Sequence, residues 1–347
     1  MAYTTINKST DYFNTKLYTG NSSTQSITGI NFQPDMTWIK ARSGTHGTEN
    51  HNLFDVVRGA TKYLIPNGTT ASTTDTNSLT AFDSDGFSLG TRTDVNGSAE
   101  YASWNWLANG TGSANTDGSI SSTVSANTTS GFSIVSYTGN GSAGATIGHG
   151  LGSIPAVIII RRLNVVASWR IFHQAIGNTK NLVLNTGAGE ETSSTMWNNT
   201  SPTSTTFSLG SYDEVNGSSA PHIAYCFAEK PGYSKMGSYT GNGNADGPMV
   251  YTGFKPAFVI IKKYNTSENW LILDTKRGSY NFVDEFLQPN QSGAEANHNI
   301  AGGIDILSNG MKMRHGDGTI NASGGSYIYM AFGQSIVGSN NVPATAR

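Results

Sequence analysis

Seven histidines, 23 acidic residues and one cysteine are the groups in this 347-residue chain that could carry chemistry. Their spacing supports little of it. No His-x-x-x-His or His-Glu-x-x-His pair occurs, so a zinc site has no sequence basis. His46 and His51 lie in a Gly/Thr/Asn-rich stretch and His149 sits between two glycines. His173, His222, His298 and His315 are scattered. There is no Gly-x-Ser-x-Gly elbow with triad partners in a sensible order, and no Walker phosphate loop. Paired carboxylates could cleave a glycosidic bond. Asp83 and Asp85 flank a turn, whereas Glu190 and Glu191, and Asp284 and Glu285, are direct neighbours. Neighbours on a strand point to opposite faces, and these groups read as solvated loop carboxylates. The expectation is a protein that is not an enzyme and needs no cofactor and no metal.

Two other constellations are candidates for binding or structure. Asp55 and Arg58 precede Gly59, and Asp274 and Arg277 precede Gly278; the matching stretch His173 to Gly177 has neither charge. A carboxylate and a guanidinium lost together point to a structural ion pair that fixes a turn. The alternative is a ligand pocket kept in two places and abandoned in a third. Trp197 lies beside Asn198 and Asn199 in a polar stretch. Such a ring can stack on a sugar while amides bond its hydroxyls, so these three are the glycan-binding candidates. The alternative is a tryptophan packed back onto its own domain. Trp38, Trp169 and Trp270 read as core.

The elements that must position these residues come in three copies. Tyr18-Thr19-Gly20-Asn21 returns at Tyr137 to Asn140 and at Tyr239 to Asn242. Phe32 to Lys40 returns at Ile154 to Arg161 and at Phe254 to Lys262. Val95-Asn96-Gly97-Ser98 returns at Val215 to Ser218, and more weakly at Ile320 to Ser323. Each copy closes on an aromatic-rich run: Tyr101 to Leu107, His222 to Ala228 and Tyr327 to Gly333. A unit this long is domain-sized rather than a solenoid repeat. Val157 to Ile160 and Phe258 to Ile261 are apolar runs of strand length, bounded by a basic residue, and suit strands covered on both faces. Asn96-Gly97 and Asn216-Gly217 read as hairpin turns. Short helical turns are expected near Leu53 to Arg58 and Phe282 to Phe286.

The expected fold is all-β: three tandem β-sandwich domains, of jelly-roll or lectin/SPRY-like architecture. Residues 1–108 form the first, 131–231 the second and 232–337 the third. Residues 109–130, almost entirely Gly, Ser, Thr, Asn and Ala, read as a linker. Residues 338–347 read as a polar tail ordered only by an outside partner.

Charged residues are 13% of the chain, about half the usual share. With a net charge of −2, binding driven by phosphate neutralisation is not expected, so nucleic acid is not a partner. The single thiol, Cys226, cannot form an internal disulfide and reads as a small buried apolar residue. The first residues lack the pattern of a signal peptide, and no apolar stretch reaches membrane-spanning length, so no membrane insertion is expected.

Several of these segments carry a resemblance. Ala2-Tyr3-Thr4-Thr5-Ile6 through Leu17-Tyr18-Thr19-Gly20 resembles the start of virion proteins of marine tailed phages. Phe32-Gln33-Pro34-Asp35 with Trp38-Ile39-Lys40, Asp55 with Arg58-Gly59, Phe82 to Gly90, and the ending Val342 to Arg347 are similar to the same group. The resemblance spans nearly the whole chain. It implies a virion structural component, commonly labelled tail or fibre protein, assembled in the host cytoplasm. The implied partners are other virion proteins, further copies of itself (a homotrimer is the fibre expectation) and a host-surface glycan. A capsid decoration or cement role is the alternative, and a glycan-cleaving tailspike the third reading.

Overall fold

The computed structural model describes residues 4–278, 280–297, 303–337 and 345. The polar tail, apart from Thr345, and His298 lie outside the described residues. The fold is all-β and antiparallel, as the alternating patterns require. The first third of the chain holds β1 (Phe13–Thr19), β2 (Gln25–Thr28), β3 (Met36–Ala41), β4 (Asn52–Asp55), β5 (Lys62–Leu64), β6 (Thr73–Thr74), β7 (Leu79–Asp83), β8 (Gly86–Leu89), α1 (Thr93–Asn96) and β9 (Glu100–Trp106). The middle third holds β10 (Ser113–Asn115), β11 (Ser122–Asn127), β12 (Phe132–Thr138), β13 (Ala145–Gly148), β14 (Val157–Arg162), β15 (Trp169–His173), β16 (Lys180–Val183), β17 (Glu191–Thr192), α2 (Ser194–Trp197), β18 (Thr206–Leu209), α3 (Asp213–Asn216) and β19 (Pro221–Phe227). The last third holds β20 (Ser234–Thr240), β21 (Met249–Tyr251), β22 (Phe254–Lys263), β23 (Trp270–Asp274), β24 (Glu285–Phe286), β25 (Ala296–Asn297), β26 (Ile304–Leu307), β27 (Gly310–Met313) and β28 (Ser326–Ser335).

One strand order recurs in the three large sheets: β1-β9-β3-β4, β12-β19-β14-β15 and β20-β28-β22-β23. Beside each lies a small sheet, β2-β8-β7, β13-β18 or β21-β27-β26. Each large sheet and its small sheet enclose an apolar core, and we call the pair a lobe. The opposite face of every large sheet turns to one further core that all three lobes share. This is why the central strands are apolar without interruption. Ile158 and Ile160 enter the core of their own lobe, while Val157 and Ile159 enter the shared one. Phe13, Trp106, Phe227, Phe258 and Phe332 meet there, with ring centroids 4.8 to 6.3 Å apart. The three units are therefore not self-sufficient: the largest core belongs to all of them.

The recurring tetrapeptide has a local cause. The phenols of Tyr18, Tyr137 and Tyr239 donate to the carbonyls of Val95, Val215 and Ile320, and their rings stack on Tyr101, His222 and Tyr327. A Cβ on Gly20, Gly139 or Gly241 would lie 2.0, 2.4 or 2.3 Å from a carbonyl oxygen of the facing turn, so only glycine fits. The amides of the next residues, Asn21, Asn140 and Asn242, donate to the side chains of buried Asn96, Asn216 and Asn321.

Three expectations are corrected. Residues 109–130 are not a linker but carry β10 and β11, and β11 pairs with β12 over six residues. A ladder uses main-chain groups, so Ser and Thr suffice, and Val124 supplies the one well-buried large side chain. Asn96-Gly97 and Asn216-Gly217 do not turn hairpins; they end the one-turn helices α1 and α3, with Gly97 at φ −69° and Gly217 at −54°. No helical turn forms at Phe282 to Phe286, where Phe286 lies in β24; near Leu53 to Arg58 the strand β4 is followed by a single turn closed by Gly59 N–H to Asp55 O at 3.1 Å. The basic residues that bound the apolar runs, Arg161 and Lys262, are fully buried, as is Lys40 at the matching position of the first copy.

Candidate functional site

The polar residues of this fold converge on the junctions between lobes. In the first and third lobes a strand running into the shared core ends in an aspartate, and the chain turns within three residues. Arg58 Nε lies 2.5 Å from Asp55 Oδ2, and Arg277 Nε lies 2.6 Å from Asp274 Oδ2. Each guanidinium also donates to a carbonyl of its own strand, Leu53 or Ile272. The aspartates reach further. Tyr225 of the second lobe donates to Asp55 Oδ2 at 2.6 Å, and Trp104 Nε1 of the first lobe donates to Asp274 Oδ2 at 3.0 Å. Burial alone would raise the Asp274 carboxyl; the charge of Arg277 and hydrogen bonds from Arg277 and Trp104 outweigh it and hold it below the usual range.

The third junction explains why Asp and Arg vanished together. The residue matching Trp104 and Tyr225 in the third lobe is Met330, as the registers Trp38↔Trp104, Ile159↔Tyr225 and Ile260↔Met330 show. Methionine has no proton to donate, so a carboxylate opposite it would be buried without its partner. His173 stands there instead. Its Nδ1 accepts from the Ala175 amide at 3.2 Å, which leaves Nε2–H facing the Tyr329 carbonyl at 3.3 Å. Burial, opposed by that carbonyl, lowers its pKa to about 4.

A second layer repeats the cycle, and a third repeats it in part, since Lys40 bonds only within its own lobe. Trp169 Nε1 donates to Ile65 O of the first lobe, Trp270 Nε1 to Val183 O of the second, and His51 Nε2 sits 3.1 Å from Gln288 O of the third. His51 Nδ1 accepts from Trp38 Nε1, so this imidazole is neutral, with a pKa depressed by burial and then by nearby Lys40. Arg161 donates to the carbonyls of Thr69 and Thr70, Lys262 to those of Gly187 and Glu268, and Lys40 to those of Ala41 and Gly47. Burial lowers Lys40 and Lys262 to about 8 and Arg161 to about 10. These layers escaped sequence reading, although Lys40, Arg161 and Lys262 share one column of the repeat.

Buried neutral histidines make stability depend on pH. Burial holds His51, His149, His173 and His222 below the ordinary value of 6.5. The unfolded chain then binds more protons between that value and the folded pKa. Their contribution is complete above about pH 6.5 and is lost as pH falls toward the folded values, about 4 for His173. The melting temperature is expected to drop between pH 7 and 4, and His173→Gln to flatten that slope. Scanning calorimetry across the range checks it; an unchanged slope in the variant would rule out His173 as a contributor.

Of the three glycan candidates, the tryptophan is not brought to a surface. Trp197 is 2% exposed, packs edge-on against Phe172 and donates to the Lys180 carbonyl at 3.0 Å. The polar residues around it misled because α2 buries Met196 and Trp197 as a pair and then reverses through Asn198 and Asn199, at φ +53° and +49°. Asn199 is exposed and Asn198 partly so. Trp197→Phe should lower stability by about 1–2 kcal/mol through the lost hydrogen bond and leave adsorption to any glycan unchanged, which urea melts and a binding assay would show.

The carboxylate pairs are taken up locally. Asp85 accepts from the Gly29 and Asn31 amides and Asp83 from Ser88. Glu190 pairs with Lys180 and Glu191 with Arg170. An open groove of about 300 Å³ is lined by Glu285, Glu295, Ala296 and Asn297; Glu295 lies 2.7 Å from Arg42 and 3.0 Å from Arg277. A cavity of about 20 Å³ in the shared core is lined by Met36, Trp106, Tyr225 and Met330 among others, which turn only apolar surface toward it. It is at most the size of one water and offers that water no polar partner. Among the described residues no group of three or more His, Cys, Asp or Glu side chains could hold a metal ion, and no helix is long and apolar enough to cross a membrane. Cys226 is fully buried, which pushes its thiol up to about 12.

No curated protein and no solved structure matches the chain significantly. One family model does, across residues 8–335, and so through all three lobes and their shared core: the chain belongs to the family described as Domain of unknown function (DUF7483).

Proposed function

We propose that this chain is a non-enzymatic structural protein of a virion, part of a tail fibre or spike apparatus, with a role in holding the particle to a host surface glycan. The observation that supports a structural role most is the set of junctions. Asp55, Asp274, Tyr225, Trp104, Arg161 and Lys262 are turned inward and joined from lobe to lobe, which suits a stiff frame rather than a reactive cleft. The surface left outside is dominated by uncharged Ser, Thr, Asn and Gly, which suits contact with sugars and with neighbouring subunits. The virion assignment rests on the sequence resemblance. Its partners are other virion proteins and further copies of the chain.

Cryo-electron microscopy of an intact particle, with copy counting by mass spectrometry, tests the reading. A few copies at the tail support it. Hundreds of copies over the capsid replace it with a decoration role, and absence from the particle ends both. Release of sugar from host envelope by the purified chain would overturn the non-enzymatic part.

A further inference from the structure

The three lobes differ at one side, and the difference points to a partner. In the second lobe, residues 113–127 clasp both sheet edges. Ile120 N donates to Thr146 O, and Ser119 and Thr146 exchange amide-to-hydroxyl hydrogen bonds along β13. β11 then pairs with the outer edge of β12, from Ser122↔Tyr137 to Asn127↔Phe132. The small strand β10 lies over β13 so closely that a Cβ on Gly148 would meet Asn115 Oδ1 at 1.7 Å. The clasp is uncharged apart from Asp117, and it contributes Val124 to the core of the lobe.

The matching edges are β1 with β2 in the first lobe and β20 with β21 in the third. Among the described residues no strand pairs with them. Their small strands carry different side chains at the positions of Thr146 and Gly148. The first lobe has Ser26 and Thr28, both exposed and polar. The third has Met249 and Tyr251, 44% and 53% exposed. Large apolar side chains thus stand bare at the one place where the second lobe lays a covering strand. Beside them the outer edge of β20 is held at Met236 by Glu229 and Gln174 of the second lobe. Ser238 and Thr240, two and four residues on, present main-chain groups to the same side. The charge of Lys235 lies over the Tyr251 ring at 5.7 Å, while Lys312 is paired with Asp246.

We infer that the β20–β21 edge of the third lobe is a docking site for an extended, uncharged, Ser/Thr/Ala-rich segment of a partner polypeptide. The segment adds antiparallel to β20 and covers Met249 and Tyr251, as residues 113–127 cover the second lobe within the chain. Main-chain hydrogen bonds give the affinity of such strand addition, and the apolar side chains select the partner. The inference rests on the comparison of lobes and stands whether or not the protein belongs to a virion.

The test uses the full chain and a labelled synthetic peptide with the sequence of Gly112 to Thr129 as the probe. Anisotropy titration should saturate, and hydrogen exchange should slow at Ser238 and Thr240. Ser238→Pro removes one edge amide at a position where an edge strand tolerates proline; it should weaken binding at least about tenfold. Met249→Ser with Tyr251→Thr makes the third lobe resemble the first and should weaken binding comparably without touching the ladder. No binding up to about 1 mM peptide, protection at Thr15 and Leu17 of β1 instead, or full binding by both variants would overturn the proposal. Dimerisation through β20 that the peptide cannot displace would replace the partner with a second copy.

Discussion

Trp106→Ala is expected to melt all three lobes earlier, and to melt them together. Trp106 sits in the core that the lobes share, 4.8 Å from Phe13, 5.6 Å from Phe258, 5.8 Å from Phe332 and 6.3 Å from Phe227, measured between ring centroids. Truncating a buried tryptophan costs about 3–5 kcal/mol, with the spread set by how far the neighbours collapse into the space. Collapse is limited here because those neighbours belong to three sheets already tied to each other by hydrogen bonds. Calorimetry should show one transition in the parent and one, shifted down, in the variant. Two or three separated transitions, with only the first lobe affected, would show that the lobes fold as independent tandem units.

Asp274→Ala is expected to cost about as much by a different route. Removing one partner of a buried ion pair costs about 3–5 kcal/mol, and the carboxylate of Glu295 that remains 3.0 Å from Arg277 sets the expectation at the lower end of that range. Arg277, whose side chain is fully buried, would keep Ile272 O and Glu295 but lose its nearest carboxylate, and Trp104 Nε1 would lose its acceptor. The double variant Asp274→Ala, Arg277→Met should recover more than half of the loss, since an apolar pair avoids both desolvation terms. Urea melts of the two variants and the parent make the measurement. The mirror experiment is His173→Asp, which places a carboxylate opposite Met330 with Ile176 where an arginine would be. It should be strongly destabilising alone, and Ile176→Arg with Met330→Tyr should rescue it. A harmless Asp274→Ala, below about 1 kcal/mol, would mean that the junction is held by packing alone.

Much of the fold was legible because it repeats. The apolar runs Val157 to Ile160 and Phe258 to Ile261 announced strands covered on both faces, and both faces are covered. What covers the inner face was not legible, because periodicity tells a buried side from an exposed one but does not name the neighbour. Trp106 and Phe227 look like the core of their own domains until the sheets are placed side by side. Asp55 with Arg58 and Asp274 with Arg277 could be paired from spacing, since both partners lie three residues apart. Tyr225 and Trp104 could not, because each lies 170 residues away from the aspartate it bonds. Trp197 failed for a related reason: a polar sequence around a tryptophan describes the backbone that carries it, not the side to which the indole turns. The stretch 109–130 failed because composition measures what side chains can bury, whereas a strand on a sheet edge is held first by its main chain.

A complex of three identical chains writes every contact residue three times, and a change that suits one seam must be accepted at the other two. Joining the three units in one polypeptide removes that constraint. His173 and Met330 show the freedom in use: one seam has an imidazole that donates where the seams at Asp55 and Asp274 have a carboxylate that accepts. The seams therefore answer acid differently. Acid that charges His173, whose pKa burial lowers to about 4, leaves the Asp274 carboxylate held in its ion pair, so the junction between the second and third units is expected to weaken before the one at Asp274.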